Sequence, residues 1–210
     1  MAILERTGQG GGPGRPRSFD ETQALDRVMH VFWAKGYEHT SYPELEAATG
    51  LHRQSLRYAF GDKAELFRRA VEHYARSRLD TVEALLHRPG SAAANIRAVF
   101  DFWARDARAS GRGCLMVNSL AEFADALSAV APVLVAANRR LLTAFADAFR
   151  TAQAEGAIRP ELDPDILAAQ GVALGDGLML HARNGGLHAE PGAVLEAFLS
   201  MARAPPGRRR

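Results

Sequence analysis

Residues 41–63 read SYPELEAATGLHRQSLRYAFGDK, and the order of these residues decides the fold. Ser41 is followed three positions later by Glu44, the pattern of a capping box, and Pro43 suits a first helical turn. Leu45 and Ala48 give that short helix its apolar stripe. Thr49-Gly50 forms the turn, where glycine takes positive φ without a Cβ clash. Leu51, Leu56 and Phe60 supply the inward side of a second short helix, which Gly61 ends. No acid occurs between Leu51 and Phe60, whereas Arg53, Gln54, Ser55, Arg57 and Tyr58 do. A short helix, a glycine-centred turn and a positive, hydrogen-bonding second helix make a helix-turn-helix, whose commonest use is in the DNA major groove.

Helical periodicity extends outward from this stretch, and no two-residue alternation competes with it. On the N-terminal side, Asp20 or Ser18 caps a helix with Leu25, Val28 and Phe32 on its inner face and Gly36 as its stop. On the C-terminal side, Asp62 caps a long helix carrying Leu66, Phe67, Ala70, Val71 and Tyr74 and running to about His87. Pro89-Gly90 breaks the chain. Ile96, Val99, Phe100, Trp103 and Ala107 then repeat at helical spacing. Gly111-Arg112-Gly113 precedes a helix from Cys114 to about Leu127. Pro132 opens another, with Leu141, Phe145, Ala148 and Phe149 on one side and Gly156 as its cap. Asp163-Pro164 starts the next, which Gly185-Gly186 ends, and Pro191 to Met201 forms the last. The expected class is all-α: a flexible arm over 1–17, a three-helix helix-turn-helix domain over 18–66, a helical effector and dimerisation domain over 67–203, and a disordered tail over 204–210.

Composition narrows the function. The chain has 210 residues, 47% hydrophobic and 24% charged, with a net charge of +2, as expected of a soluble globular protein. That charge is spread evenly, so a nucleic-acid footprint has to come from local placement. No apolar run reaches the ~20 residues of a membrane span. The single cysteine, Cys114, allows no internal disulfide and fits a reducing cytoplasm. No Ser/His/Asp set, paired-carboxylate site, phosphate loop or metal-ligand spacing emerges. His181 and His188 stand seven apart without a third ligand, so neither a cofactor nor a metal is expected.

The N-terminal third resembles the TetR/AcrR family of bacterial transcriptional regulators. The likeness begins at Gly14-Arg15-Pro16-Arg17 and continues through Ala24-Leu25 and Phe32-Trp33-Ala34-Lys35-Gly36-Tyr37. It then runs through Thr40-Ser41, Ala48-x-Gly50-Leu51, Ser55-Leu56-x-Tyr58-x-Phe60-Gly61-x-Lys63 and Glu65-Leu66-Phe67. His52-Arg53-Gln54 replaces the Ser or Thr, Lys and Gly that usually open the family's recognition helix. Arg57 stands for a common tyrosine and Ala59 for a common histidine. The resemblance implies a cytoplasmic homodimeric repressor on a palindromic operator in double-stranded DNA, released by a small-molecule or electrophile effector. Arg53 and Gln54 have the hydrogen-bonding chemistry for guanine and adenine edges. Ser55 would meet base or phosphate, Arg57 and Tyr58 phosphate, with Arg57 also a candidate base reader, and Thr40 and Lys63, at helix starts, would meet phosphate. Arg15 and Arg17 would reach a minor groove or simply form a tail.

The same resemblance implies a dimer built from the last two long helices. There Gly171, Gly175 and Gly177 would allow close approach, or serve packing within the chain, and Leu174, Leu178, Leu195, Phe198 and Leu199 offer apolar area. It also implies an effector pocket somewhere in the second half, among Phe100, Phe102, Trp103, Phe123, Phe145 and Phe149, with Asn118, Gln170, Asp176 and His181 as polar anchors. The alternative for each is plain core packing. Cys114, after Gly113 at a helix start, reads either as an activated thiol, since a helix N-terminus and Arg112 would lower its pKa, or as a buried small hydrophobe. The reading from another class is a helical sensor or binding module, or a small helical enzyme, without specific DNA binding.

Overall fold

The computed structural model describes residues 19–122, 129–185 and 190–205, apart from the side chain of residue 110. Among the described residues there are nine helices and no strand: α1 Glu21–Lys35, α2 Tyr42–Thr49, α3 Arg53–Phe60, α4 Lys63–Leu86, α5 Ala92–Ser110, α6 Leu115–Glu122, α7 Ala131–Ala154, α8 Pro164–Arg183 and α9 Pro191–Ala202. The expected arm with Arg15 and Arg17, the stretch of the sixth helix beyond residue 122 with Phe123, Gly186, His188 and the tail from residue 206 lie outside the described residues. None of the helices is long and apolar enough to cross a membrane.

The local signals act as their chemistry dictates. Asp20 accepts from the N–H groups of Thr22 and Gln23 and starts α1. Asp62 accepts from Glu65 N–H and starts α4, and Asp163 does the same for α8 with Asp165 and Ile166. Gly50 ends α2 at φ 73° with its N–H on the Glu46 carbonyl. The cap of α7 is Glu155 rather than Gly156, which follows it at φ 74°.

Two hydrophobic cores form, and α4 belongs to both. The first packs α1, α2 and α3 against Leu66, Phe67, Ala70, Val71 and Tyr74. Its rings interlock edge-on, Phe32 on Phe67 at 4.9 Å and Trp33 on Tyr74 at 5.1 Å. The second packs α5, α7, α8 and α9 against Ala75, Leu79, Val82 and Leu86. The N-terminal core thus continues past the division expected at residue 66, as far as Tyr74. Leu115 from α6 and Val130 and Leu134 from the start of α7 also enter it, so the C-terminal half reaches into the N-terminal core.

Within the second core the glycines of α8 serve the chain itself. A Cβ on Gly171 would lie 3.2 Å from Phe100, and one on Gly175 only 2.5 Å from the Trp103 ring. Leu178, Leu195, Phe198 and Leu199 are likewise buried inside the chain, because α9 turns its apolar face inward. These residues therefore do not form an outward dimer surface. Gly177 meets nothing within 4 Å. The pair gives a direct check by urea denaturation: Gly175→Ala should destabilise by about 1–3 kcal/mol through overpacking, and Gly177→Ala should stabilise by about 0.5–1 kcal/mol through helix propensity.

Candidate nucleic-acid interface and effector cavity

The turn between α2 and α3 is held from both sides. Thr49 Oγ1 donates to the Leu45 carbonyl at 2.7 Å and accepts from Leu51 N–H at 3.2 Å. Glu46 on α2 accepts from Arg53 N–H at 2.5 Å, so a carboxylate caps the start of α3. Leu56 and Phe60 anchor α3 in the core. The opposite side is then fixed in solvent: His52, Arg53, Gln54, Ser55, Arg57 and Tyr58 are all exposed. Tyr58 is 85% exposed. The Arg53 guanidinium lies 4.5 Å from the centroid of Tyr42 on α2, a cation–π contact that limits its rotamers. Tyr42 is the one residue of this surface that the sequence did not suggest.

Two expected phosphate contacts fare differently. Lys63 begins α4, and its Nζ sits 4.5 Å over the Tyr37 ring beside α3. Thr40 is buried, and its hydroxyl donates to the Gly36 carbonyl at 2.6 Å. Its side chain locks the turn after α1 and does not face outward; the exposed residue at that helix start is Ser41.

The acids near this surface are occupied by cations or amides. Lys35, and then the Ser41 N–H and hydroxyl, hold the Glu44 carboxyl down at about 2. Arg68, aided by Arg69, does the same for Glu65. The α3 face therefore keeps its positive sign although the domain as a whole is nearly neutral.

The expected effector residues scatter. Phe100, Phe145 and Phe149 are fully buried and stacked on each other, with Phe100 and Phe145 centroids 5.8 Å apart, so they are core. His181 is exposed at the end of α8 and anchors nothing inside. Asn118 is buried and donates from Nδ2 to the Arg112 carbonyl at 2.9 Å, holding the loop before α6. Trp103 and Cys114 do meet, in a cavity of about 40 Å³ that Arg78, Met116, Asp176 and Met179 also line. A wide surface groove of about 880 Å³ beside α1 and α4 includes none of the expected residues.

Cys114 does not match the activated thiol that its position suggested. Burial pushes its pKa up, and the Val117 and Met116 amides offset this only in part. The Arg112 guanidinium is instead stacked on Trp33, 4.2 Å from the ring centroid. The Tyr74 hydroxyl is buried beside the thiol, and burial first, with the thiol's help, raises the phenol far above its ordinary range. Asp176 is half-buried, and desolvation lifts its carboxyl to about 6.

The segment before α6 ties this cavity to the helix-turn-helix. Trp33 Nε1–H donates to the Gly113 carbonyl at 3.1 Å, across 80 residues of sequence. A Cβ on Gly113 would lie 2.5 Å from the Met179 carbonyl, and the residue has φ +69°, so only glycine suits this crossing. At the far end of α6, Glu122 accepts from the Tyr37 and Glu38 N–H groups at 3.3 and 3.2 Å.

A three-helix domain with an exposed, acid-free recognition helix, docked on a larger helical body, defines a helix-turn-helix DNA-binding protein. Comparisons with known proteins make this specific. Residues 24–70 match the model of the bacterial regulatory proteins of the tetR family, and residues 92–199 match the tetracyclin repressor-like C-terminal domain. The HTH-type transcriptional repressor ComR of Escherichia coli is 29% identical over 194 residues, 90% of this chain and 88% of that protein. The HTH-type transcriptional regulator YezE of Bacillus subtilis is 32% identical over 157 residues, 74% of this chain and 80% of that protein. Among solved structures, a cysteine mutant of the TetR family regulator CifR complexed with 26-bp double-strand operator DNA superposes with a TM-score of 0.79 at 29% identity, covering 90% of this chain and all of that one. The chain belongs to the TetR family and is a DNA-binding transcriptional regulator.

Two measurements follow from the cavity. An aspartic acid with a raised folded pKa opposes folding only once ionised, so its penalty is absent below about pH 4 and complete above about pH 6. Asp176→Asn should therefore raise stability at pH 7.5 by roughly 1–3 kcal/mol, and thermal melts should show the gain fading as pH falls to 4. Alkylation of Cys114 by iodoacetamide at pH 7 should run at least about tenfold slower in the native protein than in urea.

Proposed function

We propose that the chain is a homodimeric repressor that holds a palindromic operator and releases it when a small molecule enters the helical body. The observation that carries this reading is the exposed face of α3, acid-free and rigidly joined through α4 and α6 to a cavity in the second half. Arg53 and Gln54 would read base edges in the major groove, with Arg57 beside them. Ser55 and Tyr58 would touch base or phosphate, and Lys63, at the start of α4, would set register on the phosphates. One such face offers few contacts, so two-fold pairing with recognition helices ~34 Å apart is needed for tight binding. Ile166 and Leu180 on α8 and Met201 on α9 remain exposed and suit the dimer contact better than the buried leucines do. One cysteine with an unactivated thiol suits a cytoplasmic protein and favours a non-covalent effector over an electrophile. The ligand acts by binding the released arrangement of the DNA-binding domains better than the operator-bound one.

Gel-shift titration on the DNA upstream of the chain's own gene tests the assignment. Arg53→Ala and Gln54→Ala should each weaken operator binding by about 1–3 kcal/mol while leaving scrambled duplexes nearly unaffected. Lys63→Ala should weaken all duplexes alike and lower the salt slope by about one. Equal losses on operator and scrambled DNA for all three variants would remove the base-reading roles.

A further inference from the structure

We infer that the cavity between α4, α5, α6 and α8 takes a small organic cation, an alkylammonium, arylammonium or amidinium, with its charge on Asp176 and its apolar body against Trp103, Met116 and Met179. This rests on the reading of that cavity as the effector site and names the chemistry it selects.

The charge inventory of the cavity carries the argument. Two full charges border it, Arg78 and Asp176. Arg78 is satisfied inside the protein: it is ion-paired with Asp106, and its guanidinium lies 4.8 and 5.5 Å from the Phe102 and Tyr74 ring centroids. Asp176 has neither a hydrogen bond nor an ion pair among the described residues, and burial is the whole cause of its perturbation. Cys114 and Tyr74 are held neutral by burial. The charge in the cavity is therefore that of one half-buried carboxylate without a protein partner among the described residues. An anion would be repelled, a neutral donor could only hydrogen-bond to the carboxylate, and a cation would add a charge-assisted bond where burial already weakens competition from water.

The walls fit the apolar part of such a ligand. Gly175 lets the Trp103 ring lie directly on the α8 backbone, and Asp176 is the next residue, so indole and carboxylate border the same space. Trp is the best aromatic face for a cation. The volume of about 40 Å³ corresponds to roughly three water positions, enough for methylammonium. Larger cations enter by rotation of Met116 and Met179, whose unbranched side chains re-pack readily.

Isothermal titration calorimetry on the full chain, with tryptophan fluorescence as a second readout, tests this. The probes are methylammonium, butylammonium and benzylammonium, with butanol and benzyl alcohol as neutral counterparts. The expected result is that butylammonium or benzylammonium binds at least about tenfold more tightly than its alcohol, about 1.4 kcal/mol, and that Asp176→Asn abolishes this preference while circular dichroism shows unchanged helicity. Alcohols binding as tightly as the amines, a preference that survives Asp176→Asn, or no binding of any amine at tens of millimolar would each overturn the proposal. Operator release is scored separately. Asp176-dependent binding without release would leave the cation site standing and remove the effector reading. Release by these compounds that ignores Asp176→Asn would do the reverse.

Discussion

The structure depends on α4 being one uninterrupted helix built into two cores. Lys63 to Tyr74 sits among α1, α2 and α3, and Ala75 to Leu86 sits among α5, α7 and α8. An α-helix resists bending because each turn is closed by backbone hydrogen bonds, and both halves of α4 are gripped by close-packed side chains. The two halves of α4 are therefore mechanically continuous from one core to the other. α6 provides a second tie, with Gly113 accepting from Trp33 at one end and Glu122 accepting from Tyr37 and Glu38 at the other. Because Cys114 and Met116 line the cavity and Leu115 lies between them in the N-terminal core, the cavity and that core are separated by one residue of chain.

Electrostatics makes the recognition surface from a nearly neutral domain. The acids around α3 are not absent; they are used. Glu44 is held by Lys35 and Ser41, Glu46 caps the first N–H of α3, Asp62 caps α4, and Glu65 pairs with Arg68 and Arg69. Each carboxylate stabilises a helix end or an ion pair. The outer side of α3 presents Arg53, Arg57 and hydrogen-bonding groups to solvent. In a protein of net charge +2 the sign of this surface is thus a matter of where the charges lie, not of how many there are.

Much of this was legible from the chain alone. The helix boundaries followed from Asp20, Ser41, Asp62, Asp163 and the glycines after α1, α2 and α3, because capping is a local interaction between residues two to four apart. The exposed set on α3 followed from the positions of Leu56 and Phe60, since fixing one side of a short helix fixes the other. The position of Thr40 before a helix suggests a phosphate contact, but the turn after α1 folds its hydroxyl back onto the Gly36 carbonyl. Tyr42 was missed because nothing in its spacing shows that Arg53, eleven residues on, stacks over it.

The sequence by itself determined the class of fold, the helix-turn-helix and the sign of its surface, because periodicity, caps and turn residues act within a few positions of each other. Only the tertiary structure decided which aromatic side chains became core and which bordered a cavity, that the α8 glycines receive Phe100 and Trp103, and that burial raises the pKa of both Cys114 and Asp176. Periodicity names the buried side of a helix but not its neighbour, and desolvation, which sets these pKa values, depends on segments such as α5, α6 and α8 that meet only after the chain has folded.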